Sequence, residues 1–379
     1  MGDTVSQVPV AAPLPRRGDR ALSIDRQRLW RGFQQGLWCV AAALVVTKAV
    51  ATIGHHWSLF GLDFRGTNWH FGRDALRGEN PYPAADPAAL LAQGNPAVYP
   101  AAILALAVPF SLLPVGVAIV VWDLLSIGCI VAALRLVGVR DWRVYAVVLV
   151  SAPVASTLLL GQLDGILALL CALIWRYRDR AVVAGAGLGA VVAAKLFLWP
   201  LALWLMFTRR AKAAVLGVVV AVLATLVAWA CIGFAGLRQY GALLAANATA
   251  FEGRGVSVVA SGMRAGLGGA AARPLAVVAA LVLLVIAYRL VRRGAPDRAF
   301  AAAVAAATLS SPILWIHSTL ALVVAFAVVR PRYTSAWLVP LALWAVLTEN
   351  PTLPTFVAAQ TAIVATIVVA LRSPETVRP

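Results

Sequence analysis

The feature that most limits this chain is a recurrence: apolar runs of membrane-crossing length return one after another from residue 33 to residue 371. A helix needs about 20 mostly apolar residues to cross a bilayer, at about 1.5 Å per residue against roughly 30 Å of hydrocarbon. The run 33–53 meets that length, and further apolar segments occupy 181–207, 213–233, 275–291, 299–329, 334–348 and 355–371. Inside hydrocarbon every backbone N–H and C=O must be paired within the protein, so runs of this kind form helices. Composition agrees. Apolar residues make up 62% of the chain and charged residues 12%, against roughly 45–50% and about 25% in soluble domains. A soluble enzyme, a disordered chain and a disulfide scaffold are excluded. The class is an all-α polytopic membrane protein.

Net charge is +17, from 32 Lys and Arg against 15 Asp and Glu. In a soluble domain such a balance suggests nucleic acid. Here the cations gather in short turns between apolar runs: WRYRDR (175–180), TRRAK (208–212), RLVRRG (289–294) and RPR (330–332). Arg16, Arg17, Arg20, Arg26, Arg28 and Arg31 precede the first run, and Arg372 opens the tail. That is the positive-inside pattern, and it argues for a plasma (inner) membrane protein with no nucleic-acid partner. It puts residues 1–32 and 373–379 in the cytoplasm, with a membrane domain over 33–372. The two long polar loops, 54–97 and 234–274, then lie outside. Residues 98–175 admit one or two crossings before the cationic turn RLVGVRDWR, so the expectation is 11–13 helices, with twelve favoured by two cytoplasmic ends. Cys39, Cys129, Cys171 and Cys231 all sit in apolar runs without a CxxC spacing, and read as small core residues.

Polar groups at membrane depth are costly and need a partner or a function. Three places carry them. Gln162 and Asp164 interrupt SAPVASTLLLGQLDG (151–165), Lys195 splits an apolar stretch after GAGLGAVVAA, and Ser310, Ser311, Trp315 and His317 break the run 299–329. Measured from the cationic turns, all three open toward the face of the long loops. Bland readings stand beside this one: Lys195 snorkelling to the interface as Lys48 does, a capped hairpin at Gln162–Asp164, a core histidine at His317. In the first loop, Asp63 follows the first helix and heads a segment bearing Arg65, Asn68, His70, Arg73 and Asp74. Leu62, Phe64, Trp69, Phe71 and Leu76 give that segment enough apolar surface to lie along the interface. A carboxylate there suits chemistry that joins a lipid-borne group to a polar acceptor. The competing class is a transporter or flippase for a lipid-linked or small polar substrate, which interrupted helices also suit.

The segment DFRGTNWHFGRDALRGENPY (63–82) resembles the start of the polyprenyl-phosphate-dependent glycosyltransferases of family 87, among them mannosyl- and arabinofuranosyltransferases of cell envelopes. Further matches follow in order: Val98-Tyr99-Pro100, Pro109, Gly161-Gln162, GLGAVVAAKLFLWP (187–200), then Pro312, Trp315 and His317. The chain departs from the family pattern at Thr67, Ala101 and Asp164. The resemblance implies a GT-C-type bundle with its active site on the outer face. It implies transfer, with inversion and without metal or cofactor, of a mannose-like or pentose sugar from a polyprenyl-phosphate donor to a glycolipid or glycan acceptor. Asp63 is then the general base. The leaving lipid phosphate needs preorganised cations, for which Lys195, Arg65, Arg73 and His317 are the candidates. Asn68, His70, Tyr82, Tyr99, Gln162, Asp164 and Trp315 are the candidates for sugar and acceptor contacts. Neither long loop carries an acidic DxD pair.

Overall fold

The computed structural model describes residues 57–345 and 351–372, together with Thr47, Ala51 and Gly54. The chain divides into two units, Met1–Thr52 and Ile53–Pro379, and the architecture below is that of the second. The expected N-terminal segment, nearly all of the first crossing with Lys48, His55, His56 and the tail 373–379 lie outside the described residues. All regular structure among the described residues is helical.

Asp63 opens a π-helical turn, Phe64–Trp69, that runs into α1 (His70–Leu76). Phe64, Thr67, Asn68 and Phe71 face inward while Arg65 and His70 face out, a helical apolar stripe. Phe64 packs against Trp122 and Phe110, with ring centroids 5.0 and 6.1 Å away. Trp122 belongs to α2 (Val115–Leu136). A bent pair follows, α3 (Trp142–Leu149) and α4 (Ala152–Leu160), turned by 52°, with Pro153 in the first turn of α4 marking the restart. A tight hairpin leads into α5 (Asp164–Arg176). Beyond it come α6 (Ala181–Ala194), α7 (Pro200–Phe207), α8 (Ala211–Cys231) and α9 (Leu237–Phe251). The chain closes with α10 (Gly269–Arg292), α11 (Pro296–Ser310), α12 (Leu320–Val329) and α13 (Leu353–Leu371).

Of these, α2, α8, α10 and α13 are each long and apolar enough to cross a membrane unaided, and the bent pair α3–α4 makes a fifth. The expected 11–13 crossings are therefore not all uninterrupted helices. The reason is local. Two runs that the sequence presents as single long spans are cut by backbone chemistry. Lys195 is extended (φ −148°, ψ 105°), and after a 3-10 turn, Leu196–Leu198, Pro200 starts α7. Ser311 is extended ahead of Pro312 (φ −68°, ψ 127°), as the steric demand of a following proline requires.

The centre of the unit is α11 and α12. Every residue from Ala299 to Thr308 is buried, as is all of α12. Helices apolar on all sides belong in an interior, and the alanines of α11 let α10, α7 and α13 approach closely. The long helices instead expose apolar stripes: Val117, Val120 and Leu124 on α2, Val215, Val218 and Val222 on α8, Leu281 and Val285 on α10. In lipid those stripes are solvated by chains as apolar as themselves. The first long polar loop folds into α1 and a further helix, Pro87–Gln93, and the second into α9 and Val258–Arg264.

Candidate active site

The three polar breaks meet at one cavity of about 400 Å³, within the range of about 300–1,000 Å³ usual for ligand sites. Each break presents its polar group for a stated backbone reason. At the α4–α5 hairpin Gly161 is left-handed (φ 70°), and a Cβ there would lie 2.5 Å from the Cβ of Phe64. Only glycine permits both the turn and that approach, and the turn puts Gln162 at the cavity and Asp164 in the first turn of α5. The extended residue between α6 and α7 is Lys195, and the 3-10 turn before α12 begins with His317. Both line the cavity, as do Asp63, Tyr99 and Trp315. One face of α9 supplies a further wall through Tyr240, Leu244, Asn247 and Phe251, at the spacing of neighbours on a helix.

Charge is arranged in two groups. Lys195 Nζ donates to Asp164 Oδ2 at 3.1 Å and Oδ1 at 3.3 Å, with Ser318 Oγ at 3.4 Å. The Asp164 side chain is 4% exposed and that of Lys195 15%, so each charge depends on the other. His317 Nε2 lies 4.0 Å from Asp164 Oδ2, and His317 Nδ1 is buried with no hydrogen-bond partner among the described residues. The second group is centred on Asp63. Gln162 Nε2 donates to Asp63 Oδ2, and Tyr99 donates its hydroxyl to Gln162 Oε1 at 2.6 Å. Thr67 Oγ1 donates to the backbone carbonyl of Asp63 at 2.6 Å, and Asn95 Nδ2 to that of Leu62 at 2.9 Å.

The remaining expected residues lie elsewhere. Arg65 is exposed, its guanidinium 3.5 Å from the carbonyl of Phe60. Arg73 stacks on Trp69 at 4.8 Å, and His70 meets the same ring edge-on at 5.1 Å. Asn68 is buried, its Oδ1 without a hydrogen-bond partner among the described residues, and does not line the cavity. Tyr82 is buried and does not line the cavity, its ring stacked on Trp229 at 5.1 Å. Ser156, Asn247 and Tyr240 line the cavity although the sequence assigned them no role; of these, Tyr240 and Asn247 were legible only as polar residues of the second long loop. Among the described residues no three His, Cys, Asp or Glu side chains gather to ligate a metal.

Neither the curated proteins nor the solved structures compared with the chain include a match. The sequence profile of glycosyltransferase family 87 matches residues 97–314, more than half of the chain. That stretch contains Tyr99, Gln162, Asp164, Lys195 and Tyr240, so the matched region and the cavity coincide over most of the site. The protein is a membrane glycosyltransferase, and the chain belongs to glycosyltransferase family 87.

Proposed function

We propose that the enzyme moves a mannose-like or pentose sugar from a polyprenyl-phosphate donor to an envelope glycolipid or glycan, with inversion, on the extracytoplasmic face. The observation that carries this reading is one cavity lined by both a carboxylate, Asp63, and a partly buried cation, Lys195, in a chain of this family. Inverting transfer needs those two groups. Asp63 takes the proton of the acceptor hydroxyl as its oxygen attacks the anomeric carbon. The bond to the donor phosphate breaks, and the phosphate leaves with the added charge. Lys195 faces that charge, with His317, whose Nε2 lies 4.0 Å from the same Asp164 carboxylate, beside it. Arg65 and Arg73, outside the cavity, are left out of the clamp. Trp315, Asn247 and Tyr240 are the polar and aromatic surfaces nearest a bound sugar in this reading. Asp164 serves as the counterion of Lys195, in place of a sugar contact.

Family membership favours transfer over transport, and turnover separates them. The enzyme in proteoliposomes with a polyprenyl-phosphate-sugar donor should consume the donor and glycosylate the acceptor. Asp63→Asn keeps the shape but cannot take a proton, so transfer should fall by at least about 10²-fold, while donor binding survives. Donor that is moved between leaflets unchanged, or an Asp63→Asn enzyme as fast as wild type, would overturn the reading.

A further inference from the structure

The hydrogen bonds around Asp63 form a chain whose direction is set by donor chemistry. A glutamine amide offers N–H on one side and a carbonyl on the other. Gln162 turns its N–H toward Asp63 Oδ2 and its Oε1 toward the Tyr99 hydroxyl, 2.6 Å away. Turned over, the same amide would set its carbonyl against the carboxylate, acceptor against acceptor. The ionised carboxylate, an acceptor only, excludes that orientation, and the phenol supports the remaining one by giving its proton to Oε1. Burial first, then the charges of Asp164 and Asp63, hold Tyr99 well above the ordinary tyrosine range, so that proton stays in place.

Tyr99 is itself held from two directions. Tyr82 donates to the backbone carbonyl of Tyr99 at 3.1 Å, and Tyr240 to that of Val98 at 3.1 Å. The rings of Tyr82 and Tyr240 meet edge to face at 5.3 Å, and both pack on Trp229 at the end of α8. Burial raises both phenols as well, with Tyr240 adding to the effect at Tyr82. Both remain donors. Two tyrosines, one from each long loop, thus converge on the segment that carries Tyr99.

We infer that Tyr99 is a positioning residue for the base: acting through Gln162, it aims an amide N–H at Asp63 and so fixes the direction and the ionised state of that carboxylate. This rests on the reading of Asp63 as general base, and it gives Tyr99 and Gln162 a part other than the expected sugar contact. A hydrogen bond given to the charged form favours that form. Losing it therefore moves the acid limb of the rate–pH profile to higher pH. Among the described residues, the titratable and charged groups that share the cavity with Asp63 are Tyr99, Tyr240, Lys195 and His317, with Asp164 beside Lys195 and Arg65 on the same segment as Asp63.

The test uses the full-length enzyme in proteoliposomes with a polyprenyl-phosphate-sugar donor, and records kcat and donor KM against pH. Tyr99→Phe should lower kcat about 3- to 10-fold, the worth of one hydrogen bond, and raise the acid limb with little change in donor KM. Gln162→Leu should do more of the same, about 10- to 100-fold for a bond to a charged group. In the Gln162→Leu background Tyr99→Phe should add nothing, because the two act as one unit. Gln162→Glu keeps the acceptor for Tyr99 while setting a second carboxylate against Asp63, so its acid limb should rise even where Tyr99→Phe fails to fold. An unmoved acid limb in these variants, or additive losses in the double variant, overturns the role of Tyr99. Asp63→Asn run alongside keeps the two readings apart: wild-type transfer there sinks the base assignment itself. Loss of transfer there with an unmoved Tyr99→Phe profile sinks only the positioning.

Discussion

Lys195 and Asp164 show what a buried charge asks of its neighbours. At 3.1 Å, and with Asp164 almost wholly enclosed, each ion replaces the water the other has lost. Removing one partner strands the other, at a cost of about 3–5 kcal/mol. Lys195→Met and Asp164→Leu should therefore each lower the unfolding temperature in detergent, while the double variant regains much of the stability and none of the transfer. A double variant that regains transfer would mean that Lys195 is structural only. Lys195→Arg should keep part of both properties. Asp74, the other carboxylate of the first loop segment, lies on α1 and does not line the cavity. Asp74→Asn should accordingly stay within a few-fold of wild-type transfer, and its loss of activity would move the base from Asp63.

Among the elements, α6 and α8 set the position of Lys195. They pack along a stripe of small residues, and a Cβ at Gly185 would lie 2.7 Å from the Cβ of Leu216 and 3.0 Å from the carbonyl of Ala213. Close approach of this kind is how membrane helices gain packing without a hydrophobic drive. Gly185→Leu should push the helices apart, costing roughly 1–3 kcal/mol by overpacking, and carry Lys195 off its partners at the end of α6. Both the unfolding temperature and transfer should fall. Gly128 on α2 has nothing among the described residues within 4 Å of a Cβ. Gly128→Ala should be neutral or stabilising by up to about 1 kcal/mol, with transfer unchanged. Equal behaviour of the two variants would remove close packing as the explanation. At the far end of the bundle, Asp179 accepts from Arg210 at 2.6 Å, and the guanidinium holds its carboxyl below the usual range. Whatever that pair adds is present above the ordinary aspartate range and lost as pH falls through the lowered value; with Asp179 so exposed it is worth little.

For the molecule as a whole, orientation and metal dependence can be measured directly. If the cationic turns lie inside, Ala88 and Ala245, both exposed and one in each long loop, face outward. Cysteines placed there, with the four native cysteines replaced, should react with an impermeant thiol reagent in intact cells. A cysteine at Ala211, the first residue of α8 within the cationic segment TRRAK, should react only after lysis. The reverse pattern would invert the molecule and move the site to the cytoplasm. The acids and histidines of the cavity are split between an ion pair and a hydrogen-bonded chain. Transfer from a purified donor should accordingly survive excess EDTA, and loss restored by Mg²⁺ or Mn²⁺ would show that a divalent ion shares the phosphate with Lys195.

By itself the sequence determined the helical membrane class, since apolar runs in hydrocarbon have no other way to pair their backbones. It also marked where those runs break, because Gly161, Pro200 and Pro312 act on their own neighbours. What it left undecided is which polar groups face each other. Lys195 reaches Asp164 across 31 positions, Gln162 reaches Asp63 across 99, and Tyr240 reaches Val98 across 142. Propensity and proline sterics extend over a few residues, and no local rule relates partners so far apart. The same holds for Arg65 and Arg73, whose charges suit a phosphate but whose helical face, set by the inward packing of Phe64 and Phe71, turns them away from the cavity. Only the packing of α4, α5, α6 and the first loop segment against one another decided that Lys195 meets a counterion and that the carboxylate of Asp63 meets an amide.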